Sequence, residues 1–321
     1  MKNMKKFIST VLVAIAATTG AMAQSDFMLA EQLFSRIGIN PAGTGNSTNV
    51  NIFSLNRFQY AGMTGEGAPF STMLNVHSYF EKAKSGLGLT VSYDGSGIAY
   101  TQLQARVVYA YHVNFGKANL FSFGLGLGAA NKMFDPSRHI LEDESERGEA
   151  FPDSYQSKTY FDASFGIEYS NKYLMAGVSI AHIPGFFYAG DEYYSTLTYF
   201  PTYYGYVRGF IPCSEKFKLI PALSLYYTGS GTGDDFKNTD ILSKIVWDAN
   251  ITGFISDYVW IGLGYRTQTT TYAMVGFEWK WLRIGYSCDL NLGKLNNISW
   301  TSHEVMLSFN IPTKKKSEWD D

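Results

Sequence analysis

Leu103-Gln104-Ala105-Arg106-Val107-Val108-Tyr109-Ala110-Tyr111-His112 is the stretch whose reading decides the fold. Leu103, Ala105, Val107, Tyr109 and Tyr111 share one parity; Gln102, Gln104, Arg106, Ala110 and His112 share the other, with Val108 the one apolar intruder. Successive side chains of an extended chain point to opposite faces, so this is a strand with one apolar and one polar face.

The pattern continues outward in both directions. Phe121, Phe123, Leu125, Leu127 and Ala129 alternate with Ser122, Gly124, Gly126, Gly128 and Ala130, and Phe161, Ala163, Phe165, Ile167 and Tyr169 with Asp162, Ser164, Gly166 and Glu168. Leu282, Ile284, Tyr286, Cys288 and Leu290 oppose Arg283, Gly285, Ser287 and Asp289; Val305, Leu307, Phe309 and Ile311 oppose Glu304, Met306, Ser308 and Asn310. Such segments fall near 50–60, 69–80, 85–94, 99–112, 119–131, 158–170, 172–183, 195–211, 216–228, 244–254, 258–267, 270–279, 281–290 and 300–311, about fourteen strands, within a range of 12–16. Strands 1, 8 and 10 of this series alternate poorly.

Connections alternate in length. Those near 81–84, 113–118, 171, 212–215, 255–257 and 280 are short, whereas 61–68, 132–157, 184–194, 229–243 and 291–299 are longer, with tight members at Asp94–Gly97 and Gln268-Thr269. After residue 23 no run of about 18 apolar residues follows, so helical spans are excluded. A membrane protein without them must be a closed barrel, because no other strand arrangement satisfies its backbone in lipid. The polar parity is poor in Lys and rich in Gly, Ser, Thr, Gln and Asn, which suits a lumen better than the wet face of a soluble sandwich. The 23 Tyr, 23 Phe and 31 Gly beside only 17% charged residues fit the same architecture. The expectation is an all-β, closed antiparallel transmembrane barrel over 49–311 in the outer membrane of a Gram-negative cell, with both termini periplasmic.

The leading residues read as export information. Lys2, Lys5 and Lys6 precede an apolar run from Phe7 to Ala17, and Ala21-Met22-Ala23 forms a cleavage site, so 1–23 is expected to be a signal peptide that leaves Gln24 first. No Cys follows the cut. Residues 24–48 do not alternate; Leu29, Leu33 and Ile37 suggest a short helix ending before Asn40-Pro41, lying either in the lumen or in the periplasm. Residues 312–321 form a charged periplasmic tail. Cleavage leaves 23 Lys plus Arg against 28 Asp plus Glu, a mildly acidic balance that excludes a nucleic-acid surface. Cys213 and Cys288 are too few for a disulfide framework, although one bridge stays open.

No catalytic constellation emerges. The five histidines, at 77, 112, 139, 182 and 303, lie in no motif that supplies a mechanism. His77 and His112 fall on polar parities as lumen hydrogen-bonding groups; His182 and His303 fall on apolar parities near strand ends, as interfacial groups. Glu142–Glu149 reads as a solvated acidic loop, and Asp234-Asp235 with Asp240 departs from calcium-loop spacing. Gly124, Gly126 and Gly128 lie inside a strand and open no helix, so they make room for lumen groups or allow curvature rather than bind phosphate. No metal, cofactor or catalytic residue is therefore assigned, and the chain is not read as an enzyme. A lumen with inward Arg106, Asp162, Glu168, Arg266, Arg283 and Asp289 either conducts solutes or is sealed by mutual pairing and the entry segment. The 132–157 loop, which mixes Phe134 and Phe151 with charges, is the candidate outer contact.

Particular motifs carry a resemblance. Ile39-Asn40-Pro41-Ala42, Arg57 with Gln59, and Gly67-Ala68-Pro69 open the series; Phe121–Leu125, Trp260–Arg266, Leu282–Tyr286 and His303–Ser308 continue it in order. The set resembles the PorP/SprF family of Bacteroidetes outer-membrane proteins. Two features depart from the family pattern: no aromatic follows Asn-Pro-Ala, and a charged tail follows the last strand. The resemblance implies a component of the type nine secretion and gliding-motility apparatus. Its implied partners are a large secreted adhesin-like surface protein and periplasmic components of the machine. The alternation by itself equally allows a diffusion channel or substrate-specific porin.

Overall fold

The computed structural model describes residues 29–46, 49–61, 68–96, 99–116, 118–135, 155–188, 197, 199–229, 245–267, 270–292 and 301–312. The expected signal peptide and its cleavage site, His139, Glu142–Glu149, Phe151, Asp234-Asp235, Asp240 and the tail beyond Pro312 lie outside them.

Fifteen strand segments follow one another: β1 (Asn49–Ala61), β2 (Phe70–Phe80), β3 (Ser85–Ser96), β4 (Tyr100–Phe115), β5 (Asn119–Phe134), β6 (Gln156–Ser170), β7 (Leu174–Ala181), β8 (Thr202–Gly209), β9 (Ile211–Ser214), β10 (Phe217–Thr228), β11 (Val246–Ile255), β12 (Val259–Arg266), β13 (Thr270–Trp279), β14 (Leu282–Asn291) and β15 (Thr301–Pro312). Neighbours pair antiparallel, and β1 pairs with β15 from Asn49↔Pro312 to Ala61↔Thr301, which closes the ring. β8 and β9 are one stave interrupted at Phe210, since both pair with the same edge of β10. The barrel thus has fourteen staves. Closure removes every open edge, the condition for crossing lipid with strands.

Short connections gather at the end where Asn49 and Pro312 meet, hereafter the turn end, and the longer ones at the opposite, loop end. Between β11 and β12, Ser256 and Asp257 are both left-handed, with φ of 53° and 59°, and the Tyr258 amide donates to the Ile255 carbonyl at 3.1 Å, so a tight turn joins the two strands. Outward positions are apolar and exposed: Leu103, Val107, Leu125, Phe165, Leu263 and Val305 form part of a continuous band. At the turn end the band finishes in rings, among them Phe80, Phe115, Tyr173, Tyr258, Trp279 and Trp281, where an interfacial girdle belongs. Buried residues face the lumen. Of the strands that alternate poorly in sequence, β1 places both Phe53 and Leu55 inward, 1% and 0% exposed, because they pack on Leu29, Met73, Trp260 and Met306.

The expected eighth strand, 195–211, is corrected at its start. The stave begins only at Thr202, and a short helix α1 (Gly185–Tyr188) precedes it. The single helix expected before Asn40 is instead two 3-10 turns, η1 (Ala30–Phe34) and η2 (Arg36–Gly38), and a third, η3 (Pro41–Gly43), follows Asn40. A fourth, η4 (Glu81–Ala83), turns the chain from β2 to β3. Leu29 and Ile37 are buried as helical spacing implied; the side chain of Leu33 lies outside the described part.

Candidate functional site

The leading segment sits inside the barrel as a plug, and the sequence explains how it is held. Asn40 caps η3 by accepting from the Ala42 amide at 2.9 Å, and Pro41 at the first helical position gives up no amide that the turn needs. The Asn40 side-chain nitrogen then donates to the wall, reaching the Ile167 carbonyl at 3.1 Å, the Val178 carbonyl at 3.5 Å and the Tyr206 hydroxyl at 3.2 Å. Lumen glycines make room for this contact. A Cβ on Gly124 would lie 2.1 Å from the Ala42 amide nitrogen, and one on Gly166 would lie 2.0 Å from Asn40 Oδ1. Of the two roles expected for the strand glycines, making room prevails at Gly124, and the group accommodated is the plug backbone.

Other plug groups bond around the lumen. Arg36 forks onto Glu168, Nε to Oε2 at 3.0 Å and Nη2 to Oε1 at 3.3 Å, and the Tyr206 hydroxyl donates to the same carboxylate. Ser179 donates to the Ile39 carbonyl at 2.6 Å and Arg106 to the Gly38 carbonyl at 3.3 Å. His77 Nδ1 accepts from the Gly45 amide at 3.0 Å; His112 bridges the Thr44 carbonyl, 2.9 Å, and the Ser122 hydroxyl, 2.7 Å. Both histidines are thus lumen hydrogen-bonding groups, as their parity indicated, and both serve the plug.

Nearer the loop end, Glu304 of β15 accepts from the Ala30 amide at 3.0 Å and the Glu31 amide at 3.4 Å. Arg57 joins Glu304 to Asp289, 2.8 Å away, while Arg266 lies 3.0 Å from Asp248 and 3.6 Å from Asp289. Tyr272 donates to Asp248 at 2.6 Å. Glu31 stands apart: it is fully buried, and neither carboxylate oxygen has a hydrogen-bond partner among the described residues. Burial first, and the nearby Glu304 carboxylate second, push its pKa from 4.5 up to about 8, against the pull of Arg283.

All six inward charges read from the sequence do face the lumen, and pairing prevails. Arg106 faces Asp162 at 3.7 Å, Glu168 takes Arg36, Asp289 lies between two arginines, and Arg283 binds Glu278 at 2.6 Å while its guanidinium covers the Phe34 ring. Sequence reasoning missed Glu31, Arg36 and Asp248; for Glu31 and Arg36 the signal available was Asn-Pro directly after a charged, non-alternating stretch, and Asp248 lies in one of the strands that alternate poorly.

Two expectations need correction, and the question of a bridge is answered. His182 continues the outward parity of β7, yet its left-handed backbone, φ 55°, turns it inward to 1% exposure, 3.0 Å from Asp162 and stacked on Tyr199. Phe134 is not available as an outer anchor, because it is 1% exposed and packs against Ala99, Leu197 and Tyr100 inside the barrel. Cys213 and Cys288 are both free, one in β9 at the turn end and the other in β14. His303 does sit at the barrel surface, bonded to the Tyr286 hydroxyl at 2.7 Å. Among the described residues no group of three or more acidic, His or Cys side chains is placed to hold a metal.

Among solved structures, the chain is similar to the CymD monoaromatic hydrocarbon channel, with TM-score 0.53, 11% identity and coverage of 92% of this chain and 96% of that one. It is also similar to the toluene transporter TodX of P. putida, TM-score 0.48, 9% identity, covering 87% and 94%, and to Omp33 of Acinetobacter baumannii, TM-score 0.42, 6% identity, covering 84% and 100%. At 11% identity the likeness to CymD is one of fold. Comparison with curated proteins finds no match. Residues 21–309 match the family described as type IX secretion system membrane protein PorP/SprF, and with its closed outer-membrane barrel and Asn40-Pro41-Ala42 plug the chain belongs to that family.

Proposed function

We propose that this barrel docks one large, secreted, adhesin-like surface protein at the outer membrane and supports its export and attachment, working with periplasmic components of the secretion machine. On this reading it is neither an enzyme nor an open pore. The carrying observation is the occupied lumen: a plug whose backbone and side chains bond to β2, β4, β6, β7, β8 and β15 stands where a diffusing solute would pass. Short turns at one end and long loops at the other support placing the turn end, with both termini, in the periplasm. The long loops then offer the outer docking surface. The engagement of His77, His112 and His182 with structural partners supports a non-enzymatic role.

Deletion of the gene tests this. Surface display of one particular large protein is expected to be lost, while general secretion and small-solute uptake stay intact. Normal display together with reduced uptake of a solute would reject docking in favour of a channel.

A further inference from the structure

The lipid-facing wall is not uniform. Across β6, β7, β8 and β10 a groove of about 370 Å³ is cut into the outer surface, lined almost wholly by apolar atoms. Register explains it. One row across the four staves reads Ile167, Val178, Gly205 and Leu225, and the next row toward the turn end reads Tyr169, Ala176, Val207 and Leu223. All eight point outward, so Gly205 in one row and Ala176 in the other leave a trough between bulky walls. A Cβ on Gly205 would find only one atom within 4 Å, the Cβ of Leu225 at 4.0 Å.

We propose that this groove seats one acyl chain of a phospholipid from the leaflet at the turn end. The occupant follows from three observations. The groove is continuous with the exposed apolar band, where Val178, Val207, Leu223 and Leu225 face lipid. Its lower row contains Tyr169, whose hydroxyl donates to Asn119 at 2.6 Å and accepts from Asn171 at 2.9 Å, the amphipathic arrangement that marks headgroup level. Immediately beyond, in the turn between β6 and β7, the exposed Lys172 holds its ammonium 4.7 Å over the Tyr173 ring, a cation available to a lipid phosphate. Apolar trough, interfacial tyrosine and cation therefore succeed one another along the direction a phospholipid takes. Inside the barrel, the carbonyls of Ile167 and Val178 are those bonded by Asn40, so acyl chain and plug bear on opposite faces of one strand pair.

The assignment to phospholipid takes the periplasmic placement of the turn end from the functional reading above, and the identity of the crosslinked lipid tests the seat apart from docking. The full chain is reconstituted in phosphatidylethanolamine vesicles containing phosphatidylethanolamine with a photoreactive group midway along one acyl chain, and crosslinks are mapped on peptides. They are expected to concentrate on 167–178 and 203–225. The double variant Gly205→Leu/Ala176→Leu should cut them at least five-fold, while Ala105→Leu, which enlarges an outward residue of β4, leaves them unchanged. Heat-modifiable mobility on gels establishes that each variant is folded. Crosslinks spread evenly around the barrel, or unchanged in the filled variant, would overturn the seat. So would recovery in cells of lipopolysaccharide or a protein, rather than phospholipid, crosslinked to a photoreactive residue at position 205.

Discussion

Arg36 and Glu168, 132 positions apart in the chain, meet as a two-pronged ion pair inside the lumen at 3.0 and 3.3 Å. Arg36 belongs to the plug and Glu168 to β6, so the pair measures how strongly the segment is tied to the wall. The carboxylate is 2% exposed, and removing the guanidinium would leave it charged and poorly compensated. Arg36→Met is expected to destabilise the protein by about 3–5 kcal/mol, and Glu168→Gln in the same chain to restore a large part of that loss. Urea unfolding in lipid vesicles measures both. An additive double variant would mean that the pair does not couple plug to wall.

The barrel was legible in the sequence because lipid permits only one solution for each outward position: Leu125, Phe165 and Val305 had to be apolar, and their parity alone told which face each strand turns outward. The site was less legible for the opposite reason. A lumen that receives a plug is apolar where it packs and polar where it bonds, so Phe53 and Leu55 on β1 spoiled the alternation that elsewhere identified strands. His182 escaped because a single left-handed residue reverses parity without any marker in composition. The lumen glycines were visible and making room was one of their two expected roles, but the group they admit was not, since the backbone of Ala42 approaches Gly124 from 82 positions away. Asn40-Pro41 was legible as the end of a helix and gave no hint of which strands would bond its side chain.

Gly124→Val should free the plug while sparing the ring of strands. The new side chain would occupy the position of the Ala42 amide and the Pro41 carbonyl carbon, which are backbone and cannot rotate aside. Planar-bilayer recordings are expected to change from essentially silent for the natural chain to frank single-channel steps for this variant. Gly205→Ala, whose added carbon meets nothing closer than 4.0 Å, is the matched control. Equal silence in all three would show that the plug tolerates the intrusion.

The outward parity carries its own energetic prediction. Leu125→Arg and Phe165→Arg, on exposed apolar positions in the middle of β5 and β6, should each cost roughly 2–4 kcal/mol in vesicles. Thr159→Arg, outward near the loop end of β6, should cost roughly 0–1 kcal/mol, since the side chain reaches the interface. Comparable losses at all three positions would contradict the placement of the bilayer midplane.

Glu31 gives the protein a pH dependence whose sign can be worked out. Its carboxyl faces Glu304 from β15 and Arg283 from β14, with Arg57 behind Glu304, and it titrates near 8 in the folded protein against 4.5 as the ordinary value. Between those values the native chain keeps a proton that the unfolded chain has released, so stability falls as pH rises from about 4.5 to 8 and levels off above. The slope from this one group approaches about 1.4 kcal/mol per pH unit. Glu31→Gln cannot ionise and should remove that component, leaving whatever the other lumen charges contribute in both proteins. The measurable quantity is therefore the stability of the natural chain minus that of Glu31→Gln, taken from urea unfolding in vesicles at several pH values. It should decline steadily across the window. A flat difference would mean that Glu31 ionises at its ordinary pH and a rising one that it ionises below it, and in either case η1 would be held in the lumen without a neutral acid at its base.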